Sequence, residues 1–318
     1  MKTYQTCQKC TIEAPCKINL HLKIGEKRPD GFHELESLFA SLSHGDSLQF
    51  ECDGREGDCK LFVKWEVPGI KVPGNIIPVE KNLVLRAVSL FREQTGFDMS
   101  LRIKLVKRVP VGSGLGGGSS DAASALLALN SLAKTDLPIE KLKEMALQLG
   151  SDVPFFLYGG AAFVSGRGEH IEPITPPDEE LCVMLVKPPF FSSTASAFRL
   201  LDRFREGGDA AGKGPAGIVE TKLASLEGDP ARWNFFNDFL PVFLADDSVN
   251  GRTYQHILET LKSSGASFAG LSGAGSCCFG IFKNKKAAKL AGKNQNDKGN
   301  FVRYAFFLAH KPKPVVEY

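Results

Sequence analysis

Residues 109–130 read VPVGSGLGGGSSDAASALLALN, with five glycines between positions 112 and 118 and an Ala/Leu-rich run directly after them. The Ala/Leu run predicts a helix that begins near Ser119, Ser120 and Asp121. Glycines let backbone amides approach a phosphate closely, and the free N–H groups and positive dipole end of the helix point to the same place. The stretch therefore predicts a loop that binds polyphosphate. A glycine-rich turn packed tightly under a sheet, with Ser119 or Asp121 as a plain N-cap, is the structural alternative.

Two familiar phosphate-binding templates do not fit this loop. Residues 112–117 (GSGLGG) satisfy the G-x-G-x-x-G pattern of a dinucleotide-binding crossover. That fold needs a further strand with an acidic end after the helix, whereas residues 138–149 have the periodicity of a second helix. A Walker A loop needs a lysine after its last glycine, and residues 118–120 (GSS) have none. The glycine loop is therefore predicted to bind phosphate in a way that neither template describes.

Length, composition and charge limit the classes of protein to which this chain can belong. The chain has 318 residues, a length that favours about two domains. Its hydrophobic fraction of 43% and charged fraction of 24% are typical of an ordinary globular protein. A net charge of +3 from scattered basic residues does not indicate a nucleic-acid-binding surface. Because no apolar run approaches the roughly 20 residues of a membrane span and the N-terminus lacks a signal-peptide core, we expect a cytoplasmic protein with no nucleic-acid or membrane partner.

The cysteines fall into two groups. Four lie in apolar, strand-like contexts, where a reduced thiol is expected to act as a small hydrophobic side chain: Cys16, Cys182, Cys277 and Cys278. Cys7 and Cys10 have the spacing of a metal knuckle, and Cys52 with Cys59 offers two more sulfurs. The six residues between Cys52 and Cys59 exceed the usual short spacing, so a polar N-terminal tail is favoured over a zinc site.

Hydrophobic patterning predicts a mixture of strands and helices. Alternation predicts strands over residues 12–24, 47–52, 60–67, 99–106, 161–164, 181–186, 274–282 and 301–308. Helical periodicity predicts helices over residues 82–96, 122–133, 138–149, 195–204, 254–265 and 283–292. Residues 206–217 form a Gly/Ala-rich loop of low complexity. Since strands and helices mix without regular βαβ alternation, the predicted fold class is α+β rather than a doubly wound parallel sheet.

Three stretches, in order along the chain, resemble the superfamily of galactokinase, homoserine kinase, mevalonate kinase and phosphomevalonate kinase, the GHMP kinases. Residues 14–20 (APCKINL) resemble its N-terminal strand, residues 110–120 its phosphate loop and residues 271–276 (LSGAGS) its C-terminal glycine motif. Within the superfamily, residues 28–33 (RPDGFH) and 150–156 (GSDVPFF) resemble the branch that phosphorylates 4-diphosphocytidyl-2-C-methyl-D-erythritol in non-mevalonate isoprenoid synthesis. The resemblance covers residues 12–308, with residues 206–230 divergent.

The resemblance implies a two-domain GHMP kinase fold. Residues 1–178 are expected to form an ATP-binding domain like domain 2 of ribosomal protein S5, and residues 179–318 a ferredoxin-like C-terminal domain. The active site then lies in the cleft between them. The same resemblance implies ATP and Mg²⁺ as cofactors, a small-molecule substrate as the partner, and a monomer or weak homodimer.

The resemblance places a catalytic pair on Lys17 and Asp152. A carboxylate can take the proton of an attacking hydroxyl, while a neighbouring ammonium keeps it ionised and helps to neutralise the transferring phosphoryl group. Taken alone, Lys17 has the pattern of a solvated strand residue, and Asp152 that of a helix N-cap. Together, and with the phosphate loop, the two residues favour a catalytic role.

The resemblance also implies the binding residues. The ATP phosphates are expected to contact Pro110, Gly112, Gly114, Leu115, Gly116, Gly117, Gly118, Ser119 and Ser120. Ser119 or Ser120 is expected to reach Mg²⁺ on the phosphates, and Asn82 is expected near the adenine. For the cytidine, the expected contacts are Phe32 stacking on the base, His33 reading its edge and Phe198 closing the other face, with Asn19 and Thr194 as further substrate contacts. Many relatives carry tyrosine where Phe32 stands, so a hydroxyl hydrogen bond is absent here although stacking survives.

Three alternatives stay open on the sequence. A sibling kinase for mevalonate or homoserine is disfavoured by Phe32 and His33, because those substrates carry no base to stack. A nicotinamide oxidoreductase rests on the G-x-G-x-x-G match alone. A non-catalytic nucleotide-binding module is disfavoured by the presence of both Lys17 and Asp152.

Overall fold

The computed structural model describes residues 8–67, 81–206, 226, 228–245, 248–296 and 299–317. Cys7 and almost all of the loop predicted over residues 206–217 lie outside these ranges. Within them, no group of three or more His, Cys, Asp or Glu side chains is placed to hold a metal ion. Their helices include none that is long and apolar enough to cross a membrane.

The first sheet has seven strands. They are β1 (Gln8–Lys27), β2 (His33–Glu56), β3 (Cys59–Trp65), β4 (Met99–Lys107), β5 (Ala161–Gly166), β6 (His170–Ile174) and β11 (Val315–Glu317), in the order β11-β1-β2-β4-β3 with β5 and β6 branching from β2. The long strand β2 pairs with β5 through residues 35–40 and with β4 through residues 47–52 and 56. Among the strands that the structure describes in this sheet, β3 and β4 are the one parallel pair, as expected for a sheet without regular βαβ units.

Four helices cover one face of this sheet: α1 (Leu83–Thr95), α2 (Gly117–Ala133), α3 (Ile139–Leu149) and α4 (Val153–Tyr158). The glycine-rich stretch leads into α2, which is buried almost all round because it lies between the sheet and its neighbouring helices. Its alanines permit that close packing and favour the helix intrinsically. The helix that the phosphate loop precedes is thus the central helix of the first core.

The second sheet is antiparallel and has the order β10-β7-β9-β8. Its strands are β7 (Cys182–Lys187), β8 (Phe268–Leu271), β9 (Cys278–Phe282) and β10 (Phe301–Phe306). It packs with α5 (Thr194–Glu206), α6 (Phe239–Ala245), α7 (Val249–Ser263) and α8 (Lys285–Asn296). A further hydrophobic cluster joins Ile18 and Leu38 of the first sheet to Leu185 and Phe279 of the second. The two sheets therefore share a core, and strand β1 runs along it.

The α+β fold class is confirmed, and three local predictions differ from the structure. The strand predicted over residues 274–282 begins only at Cys278, because residues 272–277 turn and contact the phosphate loop. Helices α4 and α6 and strands β6, β8 and β11 were not predicted, since each has seven residues or fewer and carries little periodicity. The polar face of β1 is buried rather than solvated, because the second sheet and its loops cover it.

Candidate active site

A cavity of about 500 Å³ lies over the phosphate loop. Its lining includes most of the predicted ATP-binding residues, namely Asn82, Pro110, Gly112, Gly114, Gly116, Gly117, Gly118 and Ser119, together with Asp152 and Thr194. Val63, Trp65, Leu83 and Leu105 add an apolar wall. Glycine-rich backbone, an apolar wall and a carboxylate thus share one cavity, as is typical of a small-molecule binding site.

The loop leaves the start of α2 open toward this cavity. Helix α2 begins at Gly117, and its N-cap Gly116 has a φ of 71° and no side chain to cap the helix. The helix therefore begins two residues before the predicted start at Ser119, and the alternative of Ser119 or Asp121 as a plain N-cap does not hold, because the left-handed turn at Gly116 precedes the first helical residue. The N–H groups of the first turn are left for an anionic ligand.

The two predicted serines face different ways. Ser119 lines the cavity, whereas Ser120 is fully buried and its hydroxyl has no hydrogen-bond partner among the described residues. Leu115 is also buried, and its contribution is a carbonyl that accepts the backbone N–H of Lys17 at 2.9 Å. Of the two hydroxyls, the one on Ser119 is placed where a phosphate-bound Mg²⁺ would find it.

Lys17 and Asp152 lie together beside the loop. Lys17 comes from strand β1 and Asp152 precedes α4, and the Nζ atom of Lys17 is 3.4 Å from Oδ2 of Asp152. The Lys17 side chain is 3% exposed and that of Asp152 38%. The carboxylate is thus open to a ligand while the ammonium behind it is enclosed, with its Nζ also 4.5 Å from the centre of the Phe39 ring. Asp152 makes no side-chain capping bond to α4, so its oxygens stay available.

Asn19 holds Lys17 in place. Its Oδ1 atom accepts a hydrogen bond from Lys17 Nζ at 2.6 Å, and its Nδ2 group donates to Ser37 Oγ at 2.9 Å. The Asn19 backbone N–H donates to the Ser272 hydroxyl at 3.3 Å. That hydroxyl in turn donates to the Gly114 carbonyl at 2.9 Å. Asn19, predicted as a substrate contact, is 3% exposed and occupied by these neighbours.

A buried charge cluster under the loop was not predicted. Lys107, the last residue of β4, lies between the carboxylates of Asp46 and Asp121, and all three are less than 5% exposed. Asp46 also accepts the backbone N–H groups of Arg108 and Val109 through Oδ1. The cluster ties β2, β4 and α2 together directly below the phosphate loop.

The charged groups in this cluster shift one another's pKa values. Burial lowers the pKa of Lys107, but the adjacent Asp121 and Asp46 carboxylates outweigh burial, and the pKa is raised. Burial raises the pKa of Asp121 to about 7, against the opposing attraction of Lys107. The shared ammonium therefore holds its own proton firmly, while burial and the nearby Asp46 carboxylate favour a proton on Asp121.

The predicted cytidine residues gather at the far end of β1 and β2. The His33 ring stacks on Phe198 of α5, with centroids 4.8 Å apart, and its Nε2 atom lies 2.8 Å from Oδ1 of Asp202. Phe32 is 50% exposed, and the guanidinium of Arg167 lies 4.3 Å from its ring centre. The structure thus brings Phe32, His33 and Phe198 into one region, where the start of β2 meets α5.

Asn82 and Thr194 both line the cavity. The Asn82 side chain caps α1 by accepting the Val84 N–H at 2.9 Å, and it also lines the cavity beside its apolar wall. Thr194 begins α5 and lines the cavity together with Asp152. The roles of Asn82 near the adenine and of Thr194 as a substrate contact stay predictions.

Comparison with known proteins identifies the family. The model of the GHMP kinases N terminal domain matches residues 82–160, and that of the GHMP kinases C terminal domain matches residues 248–298. The 4-diphosphocytidyl-2-C-methyl-D-erythritol kinase of Treponema pallidum (strain Nichols) is 36% identical over 292 residues, which cover 90% of this chain and 94% of that protein. The chain belongs to the 4-diphosphocytidyl-2-C-methyl-D-erythritol kinase family.

Solved structures agree with this family assignment. A crystal structure of 4-(cytidine 5'-diphospho)-2C-methyl-D-erythritol kinase superposes with a TM-score of 0.72 and 30% identity, covering 93% of this chain and 99% of that one. Mevalonate kinase from L. major, in complex with R-mevalonate, superposes with a TM-score of 0.69 at 17% identity, covering 92% and 95%, and shows that the fold is shared. Membership of the 4-diphosphocytidyl-2-C-methyl-D-erythritol kinase family removes the oxidoreductase alternative and confirms the GHMP kinase fold.

Proposed function

We propose that this protein transfers the terminal phosphoryl group of ATP to the 2-hydroxyl of 4-diphosphocytidyl-2-C-methyl-D-erythritol, giving the 2-phosphate and ADP. The observation that carries the proposal is the position of Asp152, which lines the same cavity as the glycine loop and lies 3.4 Å from Lys17. A carboxylate there can accept the proton of an alcohol that attacks a phosphate held by the loop. Family membership supplies the identity of that alcohol.

In this proposal Asp152 is the general base and Lys17 its charge partner. The Lys17 ammonium is fixed by Asn19 and enclosed, so its attraction to the carboxylate acts with little screening by water. It pairs with the Asp152 carboxylate and also offsets negative charge on the transferring group. Most of the rate is expected from positioning the two reactants and from charge stabilisation.

The phosphate loop would hold ATP through its backbone. The open first turn of α2 offers N–H donors to the phosphates, and the apolar wall with Asn82 accommodates the adenine. Mg²⁺ would arrive on the phosphates with Ser119 as its protein hydroxyl, where it would neutralise phosphate charge. Ser120 is unsuited to that role because its side chain is buried in the core.

The cytidine would occupy the region of Phe32, His33 and Phe198. The half-exposed Phe32 ring offers a stacking face, and Thr194 lines the cavity that Asp152 also lines. Asn19 acts through Lys17 rather than on the substrate in this conformation. A site that stacks on a base and reads its edge fits a nucleotide-linked alcohol better than mevalonate or homoserine, which carry no base.

The test measures ADP release from ATP and Mg²⁺ with three alcohols: 4-diphosphocytidyl-2-C-methyl-D-erythritol, mevalonate and homoserine. We expect turnover with the first alone, and ³¹P NMR of the product should show a new phosphate ester on the 2-hydroxyl. Turnover with mevalonate or homoserine instead would show a sibling kinase. No turnover with any of them, together with retained ATP binding, would show a nucleotide-binding module.

A variant pair assigns the base. Asp152→Ala is expected to lower the rate by 10²-fold or more, in the range of ~10²–10⁴ typical of general base catalysis, while ATP binding is largely kept. Asp98→Ala removes an exposed carboxylate outside the cavity lining and should leave the rate unchanged. An unchanged rate in Asp152→Ala would remove this residue from the mechanism.

A further inference from the structure

Two side chains of helix α5 contact the His33 ring, one at its face and one at its edge. Phe198 and Asp202 are four residues apart, so their side chains lie on one face of the helix. Phe198 stacks on the ring at an interplanar angle of 24°, and Asp202 binds the ring edge through its Oδ1 atom, 2.8 Å from Nε2. His33 itself is 8% exposed. The ring is therefore fixed in both its plane and its rotation by one helix of the second sheet's layer.

Asp202 also contacts Lys27 at the end of the β1–β2 hairpin. Lys27, at the end of β1, faces His33 across the strand pair, and its Nζ atom lies 3.7 Å from Oδ2 of Asp202. The carboxylate thus meets one cation and one imidazole, each through a different oxygen. A carboxylate in this position has an opposite charge beside it and remains an acceptor.

The acceptor on Nε2 decides where the imidazole carries its proton. A carboxylate offers only lone pairs, so the Nε2 atom must be the N–H that donates to Oδ1 of Asp202. In the neutral ring the other nitrogen, Nδ1, is then a hydrogen-bond acceptor. Among the residues that the structure describes, no hydrogen bond occupies Nδ1, so it is left for a ligand.

We propose that Asp202 is a positioning residue that makes the enzyme selective for cytosine over uracil, by holding His33 in the tautomer whose Nδ1 accepts a hydrogen bond. Cytosine presents an amino group at its position 4, which donates to such an acceptor. Uracil presents a carbonyl oxygen there, which would face a lone pair and lose its hydrogen bonds with water. This inference rests on the proposed function, since it takes the region of Phe32, His33 and Phe198 as the base site.

The test compares the dissociation constants of CDP and UDP for the full-length protein by isothermal titration calorimetry at pH 8. The wild type is expected to bind CDP more tightly, and Asp202→Ala should lower the UDP-to-CDP ratio of dissociation constants by about tenfold, because the free imidazole can then place its proton on either nitrogen. Glu206→Ala removes an exposed carboxylate from the end of the same helix and should leave the ratio unchanged. A purely structural role for Asp202 would weaken CDP and UDP binding equally, and that result would overturn the inference.

A spectroscopic measurement keeps the inference testable if Asp202→Ala folds poorly. Long-range ¹H–¹⁵N spectra of the wild type with labelled histidine, with the His33 signals assigned by their loss in His33→Gln, report which nitrogen carries the proton. We expect Nε2 protonated and Nδ1 unprotonated, and the opposite tautomer would overturn the inference. ADP release from the cytidine-bearing substrate is measured on the same preparation, so failure of the proposed function is seen separately: active enzyme with no CDP preference contradicts only the role of Asp202.

Discussion

A β-carbon at position 114 would lie 2.0 Å from the carbonyl oxygen of Ser272. The phosphate loop and the C-terminal glycine motif therefore contact each other backbone to backbone, and the Ser272 hydroxyl adds a hydrogen bond to the Gly114 carbonyl. Gly114 also has a φ of 75°, which side chains rarely adopt. This contact joins the phosphate loop of the first sheet's layer to the glycine motif of the second. It therefore sets the position of the loop relative to Asn19, whose backbone N–H donates to the same Ser272 hydroxyl, and relative to Lys17, which is hydrogen-bonded to Asn19.

Gly114→Ala should destabilise the protein and displace the loop. The new methyl group would collide with fixed backbone at a left-handed position, and we expect a loss of roughly 2–4 kcal/mol in the free energy of unfolding, measured by urea denaturation. Gly118→Ala is the control: it lies in the first turn of α2, and its nearest neighbour would be a Leu83 methyl group at 3.8 Å. There the change should be neutral or stabilising by up to about 1 kcal/mol. Equal effects of the two variants would contradict the role given to the contact at Ser272.

Lys107→Met should be strongly destabilising. It would leave Asp46 and Asp121 buried without their cation, a loss that typically costs about 3–5 kcal/mol. Lys104→Met on the same strand is the matched control, because Lys104 is an exposed partner of Glu51 and surface pairs contribute only about 0–1 kcal/mol. Both are measured by chemical denaturation at pH 8. Similar losses for the two lysines would show that the buried cluster does not stabilise the loop.

The pattern of β4 contained the signal for Lys107. Residues 99, 101, 103 and 105 are apolar and buried, and alternation places Lys107 on the same face as these residues. A lysine in register with a buried face needs a buried partner, but the sequence does not say which carboxylate supplies it. Asp46 and Asp121 come from other elements, so the cluster could be suspected from the sequence and assembled only from the structure.

The elements themselves were largely predictable, because their periodicity and caps are local. Asn82 and Gly96 mark both ends of α1 as the cap rules predict. The burial of Lys17 and Asn19 could not be derived from β1, whose alternation predicts a solvated polar face. That face is covered by residues such as Ser272, far away in sequence, and the site exists because distant segments meet. The resemblance to a family identified the pair Lys17 and Asp152, and composition and spacing alone left it ambiguous.

Lys17 and Asp152 should act as one unit in catalysis. Asp152→Asn and Lys17→Met are each expected to lower kcat by about 10²-fold or more, and the double variant should lose less than the product of the two effects. The reason is that part of the Lys17 contribution acts through its ion pair with Asp152, which Asp152→Asn has already removed. The measurement is kcat from ADP release, with Tm recorded for each variant to separate folding losses. Effects that multiply would show that the two groups act independently.

His21 should make stability fall in acid. Its ring is 2% exposed, and burial, with a smaller effect of Lys23, lowers its pKa from 6.5 to about 4. Since the unfolded chain binds a proton below pH 6.5 and the folded protein does not until about pH 4, His21 contributes stability above pH 6.5 that is lost as the pH falls toward 4. In the wild type the Phe236 backbone N–H donates to Nδ1 of His21. His21→Asn keeps an acceptor at this position and removes the titration. Relative to this variant, the wild type should lose about 3 kcal/mol of unfolding free energy between pH 7 and pH 4, measured by urea denaturation at each pH. Parallel pH profiles for the two proteins would mean that His21 is protonated in the folded state, and that its buried Nε2 atom finds a partner there.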